Sequence, residues 1–328
     1  MRRRDFAFFV SAATMAPRVL IAQTATRLPV VGTLWYGTKD APLIVKYLGQ
    51  FLAGMRELGY AEGQNFERLD RFADFHADRV PQLATELVQL KPDVIVAGAT
   101  IQAVALKKAT DTVPIVVGAL ADPVELGLIK SYARPGGNVT GIMPYVAGLP
   151  TKQLELAREV VPGATRIGLL DDVTDPKARP QRLEIEAAGE KLEIKIIPAE
   201  VRTASDIGQA YETLSTSGVE IVVVEQSSML LTAGLVIAEA AGAKKLPTLY
   251  GYHEHVEAGG LVSYGVNLDW CYQRTAYYVD RILKGANPAD LPVEFPTTIE
   301  LWINKKTAKA LGLKIPPTLL VRADKIIE

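Results

Sequence analysis

A chain of 328 residues with 36 basic and 37 acidic side chains carries a formal charge of −1, which gives no electrostatic case for nucleic-acid binding. Its single cysteine, Cys271, excludes an internal disulfide framework and reads as a small buried apolar residue rather than a nucleophile. The length exceeds what one hydrophobic core usually serves and predicts two domains.

The first element in chain order is a leader. Residues 1–5 are basic, residues 6–16 are a short apolar run, and Leu20-Ile21-Ala22 places small and aliphatic residues before Gln23. This is the three-part layout of a secretory signal peptide over residues 1–22, with an apolar part shorter than the roughly 20 residues a membrane span needs. Arg3-Arg4 also suits the twin-arginine form of signal, the general secretory route being the alternative. Cleavage after Ala22 removes four arginines and one aspartate, takes the formal charge from −1 to −4, and leaves no cysteine there for a lipid. The mature chain is expected in the periplasm as a soluble monomer.

From Pro29 onward short apolar runs alternate with longer amphipathic ones. Residues 29–35, 65–72, 93–97 and 114–118 read as strands, and residues 43–58, 77–90 and 101–109 as helices. The pattern restarts with strands at 166–170, 194–198, 220–224 and 247–250 and helices at 180–192, 204–215 and 230–243. Lys91-Pro92-Asp93-Val94 parallels Gly218-Val219-Glu220-Ile221, as if one plan were used twice. Such alternation predicts an α/β fold of two doubly wound parallel-sheet lobes. It breaks at residues 133–141, 251–260 and 287–298, which predicts a hinge of three crossings. The lobes are then residues 28–139 plus 252–292, and residues 140–251 plus 293–328. The glycosylation pattern Asn138-Val139-Thr140 is read as a chance match beside a bacterial type of leader.

In open parallel sheets ligands bind beyond the carboxyl ends of the strands. The loops at those ends hold the candidate ligand-binding residues. Trp35 and Tyr36 offer aromatic faces for stacking, or else pack within their lobe. Gly98-Ala99-Thr100 opens a helix whose backbone N–H groups suit a carboxylate, with Thr100 serving the ligand or acting as the N-cap. Asp122 follows the fourth strand. Asp171 and Asp172 suit a ligand ammonium, or form a solvated turn. Gln226, Ser227 and Ser228 offer uncharged hydrogen bonds or cap the next helix, and Tyr252 follows the last strand. No dinucleotide, P-loop or nucleophile-elbow motif is present, so no catalytic residue and no cofactor is assigned. His253 and His255 flank Glu254 without a convincing further ligand, so no metal is assigned either.

Several stretches together resemble a known family. They include Asp122-Pro123-Val124, Ala133-Arg134-Pro135-Gly136-Gly137-Asn138-Val139-Thr140-Gly141, Val256-Glu257-Ala258-Gly259-Gly260, Tyr278-Val279-Asp280-Arg281-Ile282-Leu283-Lys284-Gly285 and Leu311-Gly312-Leu313-Lys314-Ile315-Pro316-Pro317. The chain is similar to ABC transporter substrate-binding proteins of the tryptophan/tyrosine type. The resemblance implies a type I periplasmic-binding fold, a small-molecule ligand between the lobes, an ABC permease as partner, and ligand-facing loops at Gly98-Ala99-Thr100, Asp122 and Gln226-Ser227-Ser228. The chain departs from the family where Asp171-Asp172 replace an Asn- or Ser-rich turn and where Tyr252-His253 stand in place of Ser-Arg. Three other readings compete: a periplasmic sensor feeding a membrane receptor, a Rossmann-like enzyme without its phosphate loop, and a transcription regulator without room for a headpiece before Pro29.

Overall fold

The computed structural model describes residues 27–328 apart from 147, 176 and 177, so the expected leader lies outside the described residues. β1 (Val30–Trp35) is buried along its whole length, as a continuous apolar run predicts for a strand covered on both faces. α1 (Pro42–Glu57), β2 (Glu67–Phe72), α2 (Val80–Gln89), β3 (Val94–Ala99), α3 (Thr100–Ala109), β4 (Ile115–Ala119) and β5 (Val139–Gly141) follow. The strands pair in parallel in the order β2-β1-β3-β4-β5. Alternate residues point to opposite faces. Val31, Val94, Val96 and Val116 join a core with Tyr47, Phe51 and Met55 of α1, while Leu34, Ile95, Ala97 and Val117 join one with α2 and α3.

The chain then crosses over and repeats the plan through α4 (Leu149–Val160), β6 (Arg166–Asp172), α5 (Ala178–Lys191), β7 (Lys195–Val201), α6 (Ile207–Thr216), β8 (Ile221–Val224), α7 (Ser228–Thr232), α8 (Gly234–Lys244), β9 (Thr248–Tyr250), α9 (His253–Glu257) and β10 (Val262–Val266). The parallel core β7-β6-β8-β9-β10 has the same winding order as the first sheet. α10 (Leu268–Leu283) returns to the first lobe and packs on α1, β3 and β4. β11 (Ile299–Asn304) pairs antiparallel with β10, and α11 (Lys305–Ala310), α12 (Pro317–Arg322) and β12 (Lys325–Ile327) complete that edge. The two-lobe α/β architecture stands as read from the sequence, with the second sheet made mixed by β11. Residues 230–243, read as one helix, are two, with Ala233 between α7 and α8.

Strand pairing moves two of the three expected crossings. The sequence places residues 252–266 in the first lobe. β10 is hydrogen-bonded to β9 and β11, so the chain crosses at Asn267 instead. Gly259 and Gly260 end α9 rather than forming a hinge, since the Gly260 N–H donates to the His255 carbonyl at 2.8 Å. β5 keeps residues 139–141 in the first sheet, so the first crossing follows it. Gly136 and Gly137 lie in the loop before β5, where the Gly136 N–H donates to the Ala289 carbonyl at 3.0 Å. The third crossing, between Glu294 and β11, falls within the expected residues 287–298.

Asn138 is buried, and its amide donates to the carbonyls of Thr110 and Val113, an internal role that suits the reading of its sequon as chance. Cys271 is buried and burial pushes its thiol well up, which leaves it unreactive. No helix among the described residues is long and apolar enough to cross a membrane.

Gly265 lies where β10 passes under the β9–α9 turn. A Cβ there would stand 1.7 Å from the Gly251 carbonyl oxygen, so two backbones would have to separate. Gly265→Ala is expected to destabilise the protein by ~3 kcal/mol, the upper range for overpacking, measured by urea unfolding. A change below ~0.5 kcal/mol would show that the approach is looser than described.

Candidate functional site

The carboxyl-end loops of the two sheets enclose two adjoining cavities. The first, of about 410 Å³, is walled by Trp35, Tyr36, Tyr47, Phe75 and Tyr272 on the first-lobe side and by Leu231, Leu235, Glu254 and Glu257 on the other. Its floor is an aromatic stack. Tyr272 lies parallel to Tyr47 at 4.2 Å between ring centroids and tilted against Trp35 at 5.7 Å. Its hydroxyl donates to the Gly98 carbonyl at 3.0 Å, which pins α10 to the end of β3. Trp35 is held in turn by its indole N–H, which donates to Thr33 Oγ1 at 2.9 Å. A rigid, largely apolar wall of this kind favours a flat ring.

The second cavity, of about 570 Å³, shares Tyr36, Phe75, Gln102, Ser228, Leu231 and Tyr272 with the first and adds Thr100, Ala121, Asp172, Thr174, Ser227 and Tyr252. It is the more polar chamber. α3 opens onto both cavities with Ala99 at its N-cap, a residue with no side-chain oxygen to satisfy the first-turn N–H groups. Asp172 stands across from it, buried, with Oδ1 accepting from the Thr174 N–H and hydroxyl at 3.1 and 2.6 Å. The charged residues among the described walls of both cavities are carboxylates of the second lobe: Asp172, Asp175, Glu254 and Glu257. A donor dipole on one side and carboxylates on the other suit a zwitterion.

Most of the residues singled out from the sequence line this cleft. Trp35, Tyr36, Gly98, Ala99, Thr100, Asp172, Ser227, Ser228 and Tyr252 do so. Thr100 is the first residue of α3 rather than its N-cap. Its hydroxyl is spent on the β4 loop, accepting from the Ala121 N–H at 2.7 Å. Ser227 caps α7, with Oγ accepting from the Leu230 N–H. Three candidates do not line either cavity. Asp122 lies one residue beyond the lining Ala121. Asp171 is buried against Arg182, whose guanidinium donates to Oδ2 at 3.2 Å, so alternation along β6 turns it away from Asp172. Gln226 is buried beneath the cleft, where its side chain donates to the Gly251 carbonyl and its backbone pairs with Gln181.

Sequence reasoning missed Phe75, Gln102, Tyr47 and Tyr272. Phe75 follows β2, so the strand-end rule finds it once β2 is included. Gln102 accepts from the Ala99 N–H at 3.0 Å, the reach-back of a helix-start glutamine three residues beyond the N-cap, a signal present in the sequence. Tyr272 lies 174 residues from its partner Gly98, and only the path of α10 brings it there.

His253, Glu254 and Asp269 come within 4.8 Å of one another, a metal-like grouping. The Lys46 ammonium stands among them, at 3.2 Å from His253 Nε2 and 3.4 Å from both Glu254 and Asp269. Burial works against its charge, but Glu254 and Asp269 outweigh burial and keep its pKa above the ordinary value. Lys46 supplies the positive charge and ties α1 of the first lobe to α9 of the second. His255 turns the other way, with Nε2 at 3.0 Å from the Leu230 carbonyl; burial lowers its pKa to about 4 and keeps it neutral.

Beneath the second-lobe loops, Glu225 and Asp171 are buried side by side. Burial, then the Asp171 charge, push the Glu225 carboxyl up to about 10. Asp171 Oδ1 and Glu225 Oε1 are buried without a donor from any other group, which suits a Glu225 carboxyl that keeps its proton. The folded pKa is raised above the usual 4.5, so this pair's contribution is fully present below pH 4.5 and is lost as pH rises toward about 10. Glu225→Gln keeps a donor for Asp171 and removes the titration. Stability of the wild type is expected to fall across this window by up to ~1.4 kcal/mol per pH unit, and the variant's slope to be shallower, in urea unfolding at stepped pH. Identical slopes would place the proton elsewhere.

Residues 40–327 match the family model for ABC transporter substrate binding protein. A tyrosine-binding protein of Clostridioides difficile is 26% identical over 275 residues, covering 84% of this chain and 79% of the relative. The crystal structure of an ABC domain in complex with L-Trp from Streptococcus pneumoniae is 27% identical, with a TM-score of 0.84 over 92% of this chain and 100% of that one. A conserved domain protein of Vibrio cholerae, 29% identical, has a TM-score of 0.85 over the same shares. The two-lobe α/β architecture accords with these neighbours, and the chain belongs to the ABC transporter substrate-binding protein family.

Proposed function

We propose that the protein binds a small zwitterionic solute with an aromatic body in the cleft between its lobes and delivers it to an ABC permease. The observation that carries this reading is the pairing of two chambers in one cleft. One is walled by Trp35, Tyr36, Tyr47, Phe75 and Tyr272, the other by the start of α3 and Asp172. The ring enters the aromatic chamber. The solute's carboxylate meets the first-turn N–H groups of α3, and its ammonium meets the Asp172 side of the cleft. The relatives support an amino acid, since one is named as tyrosine-binding and another holds L-Trp. Sites for such solutes gain from closure, because contacts made with both lobes exist only in the closed form and shift the population toward it.

Delivery requires the protein outside the inner membrane, and the leader of residues 1–22 is the proposed export signal. Deleting residues 2–22 is expected to leave the protein in the cytoplasmic fraction; undiminished export would remove the leader from the account. For the ligand, a thermal-shift panel is the direct test. L-Tryptophan or L-tyrosine at a hundredfold over Kd is expected to stabilise the protein by ~2.7 kcal/mol, while L-alanine and myo-inositol leave the midpoint unmoved. Stabilisation by the polyol, or by none of the four, would overturn the aromatic zwitterion.

A further inference from the structure

Phe75 stands at the junction of the two chambers and lines both. It is 46% exposed although it is a large aromatic residue inside a cleft. Its backbone is unusual as well. Asp74 and Phe75 both adopt positive φ, at 52° and 63°, a conformation that residues with side chains rarely take. The loop is forced into it by its neighbours. The Ala73 N–H donates to the Trp35 carbonyl at 2.9 Å, and the Phe75 N–H to the Tyr36 carbonyl at 2.8 Å. These bonds tie the end of β2 to the end of β1 and set the Phe75 ring edge-on to Tyr36 at 5.9 Å, its tip 3.0 Å from where a Cβ on Gly37 would stand. Opposite it, Leu231 and Thr232 of α7 line the same two chambers. An exposed ring held by a strained backbone needs a reason at this place, and strain of this kind persists where surrounding structure enforces it for a task.

We propose that Phe75 is a specificity-determining lid residue. Its ring covers the solute's apolar body when the lobes close and separates the aromatic chamber from the polar one. The proposal rests on the solute reading above. It makes the residue more costly to the free protein than a glycine would be and useful only to the bound one.

The test is a pair of glycine variants of the mature chain, assayed by calorimetric titration with L-tryptophan and L-tyrosine and by thermal unfolding. Phe75→Gly suits the positive φ, so its thermal midpoint is expected to equal or exceed that of the wild type, while affinity falls ~10- to 100-fold, the loss of an aromatic anchor. Phe75→Leu, which keeps an apolar cover, should lie between. Asp74→Gly relaxes the same loop without removing the ring and should bind as the wild type does. Three outcomes overturn the proposal: Phe75→Gly binding at wild-type strength, Phe75→Gly losing stability and binding together as a mere prop would, or Asp74→Gly losing affinity. A wild type that binds neither amino acid sinks the solute reading itself and this inference with it, which separates the two failures.

Discussion

The hydroxyl of Tyr272 donates to the Gly98 carbonyl, and the cleft is organised around that contact. The residue arrives on α10, the helix that leaves the second lobe at Asn267 and packs into the first. Its ring fixes the floor of the aromatic chamber by stacking on Tyr47 and meeting Trp35. The fit is close: a Cβ at Gly118 of β4 would stand 2.5 Å from the Tyr272 ring. Because α10 must cross between lobes to reach this place, the crossing and the cleft floor are one constraint. A shift of the hinge at Asn267 moves the start of the helix that carries the floor.

Charge is divided between the lobes to the same end. The carboxylates that face the cavities come from the second lobe, and the first offers aromatic faces and a helix start. A solute with an ammonium, a carboxylate and a ring needs both lobes at once, which makes its binding energy available for closure. Lys46 reaches across from α1 to Glu254 and Glu257 and gives the two lobes a polar contact beside the aromatic floor. Beneath the second-lobe loops, burial and the neighbouring Asp171 hold the Glu225 carboxyl well above its ordinary range, so it is buried there without its charge.

The fold was legible because both sheets are buried on both faces. Runs such as Val30-Val31-Gly32-Thr33-Leu34-Trp35 and Ile221-Val222-Val223-Val224 mark strands without alternation, and the helices between them impose parallel pairing. The crossings were less legible, because glycines signal turns and caps as readily as hinges: Gly259-Gly260 closes α9, and the true crossing at Asn267 has no glycine. The site was legible where strand ends supply it, as at Trp35, Gly98 and Ser227. It failed at Asp171 and Gln226, where sheet alternation and a buried backbone partner override polarity. Tyr272 was beyond local reasoning, since its role exists only in the packed fold.

In the proposed function, one aromatic, lobe-spanning cleft holds the solute. Hydrogen–deuterium exchange with and without saturating L-tryptophan or L-tyrosine addresses it segment by segment. Protection is expected at the start of α3, in residues 226–232, and at the start of α10, from both lobes together. Binding with protection confined to a single lobe, or to segments away from these, would contradict it.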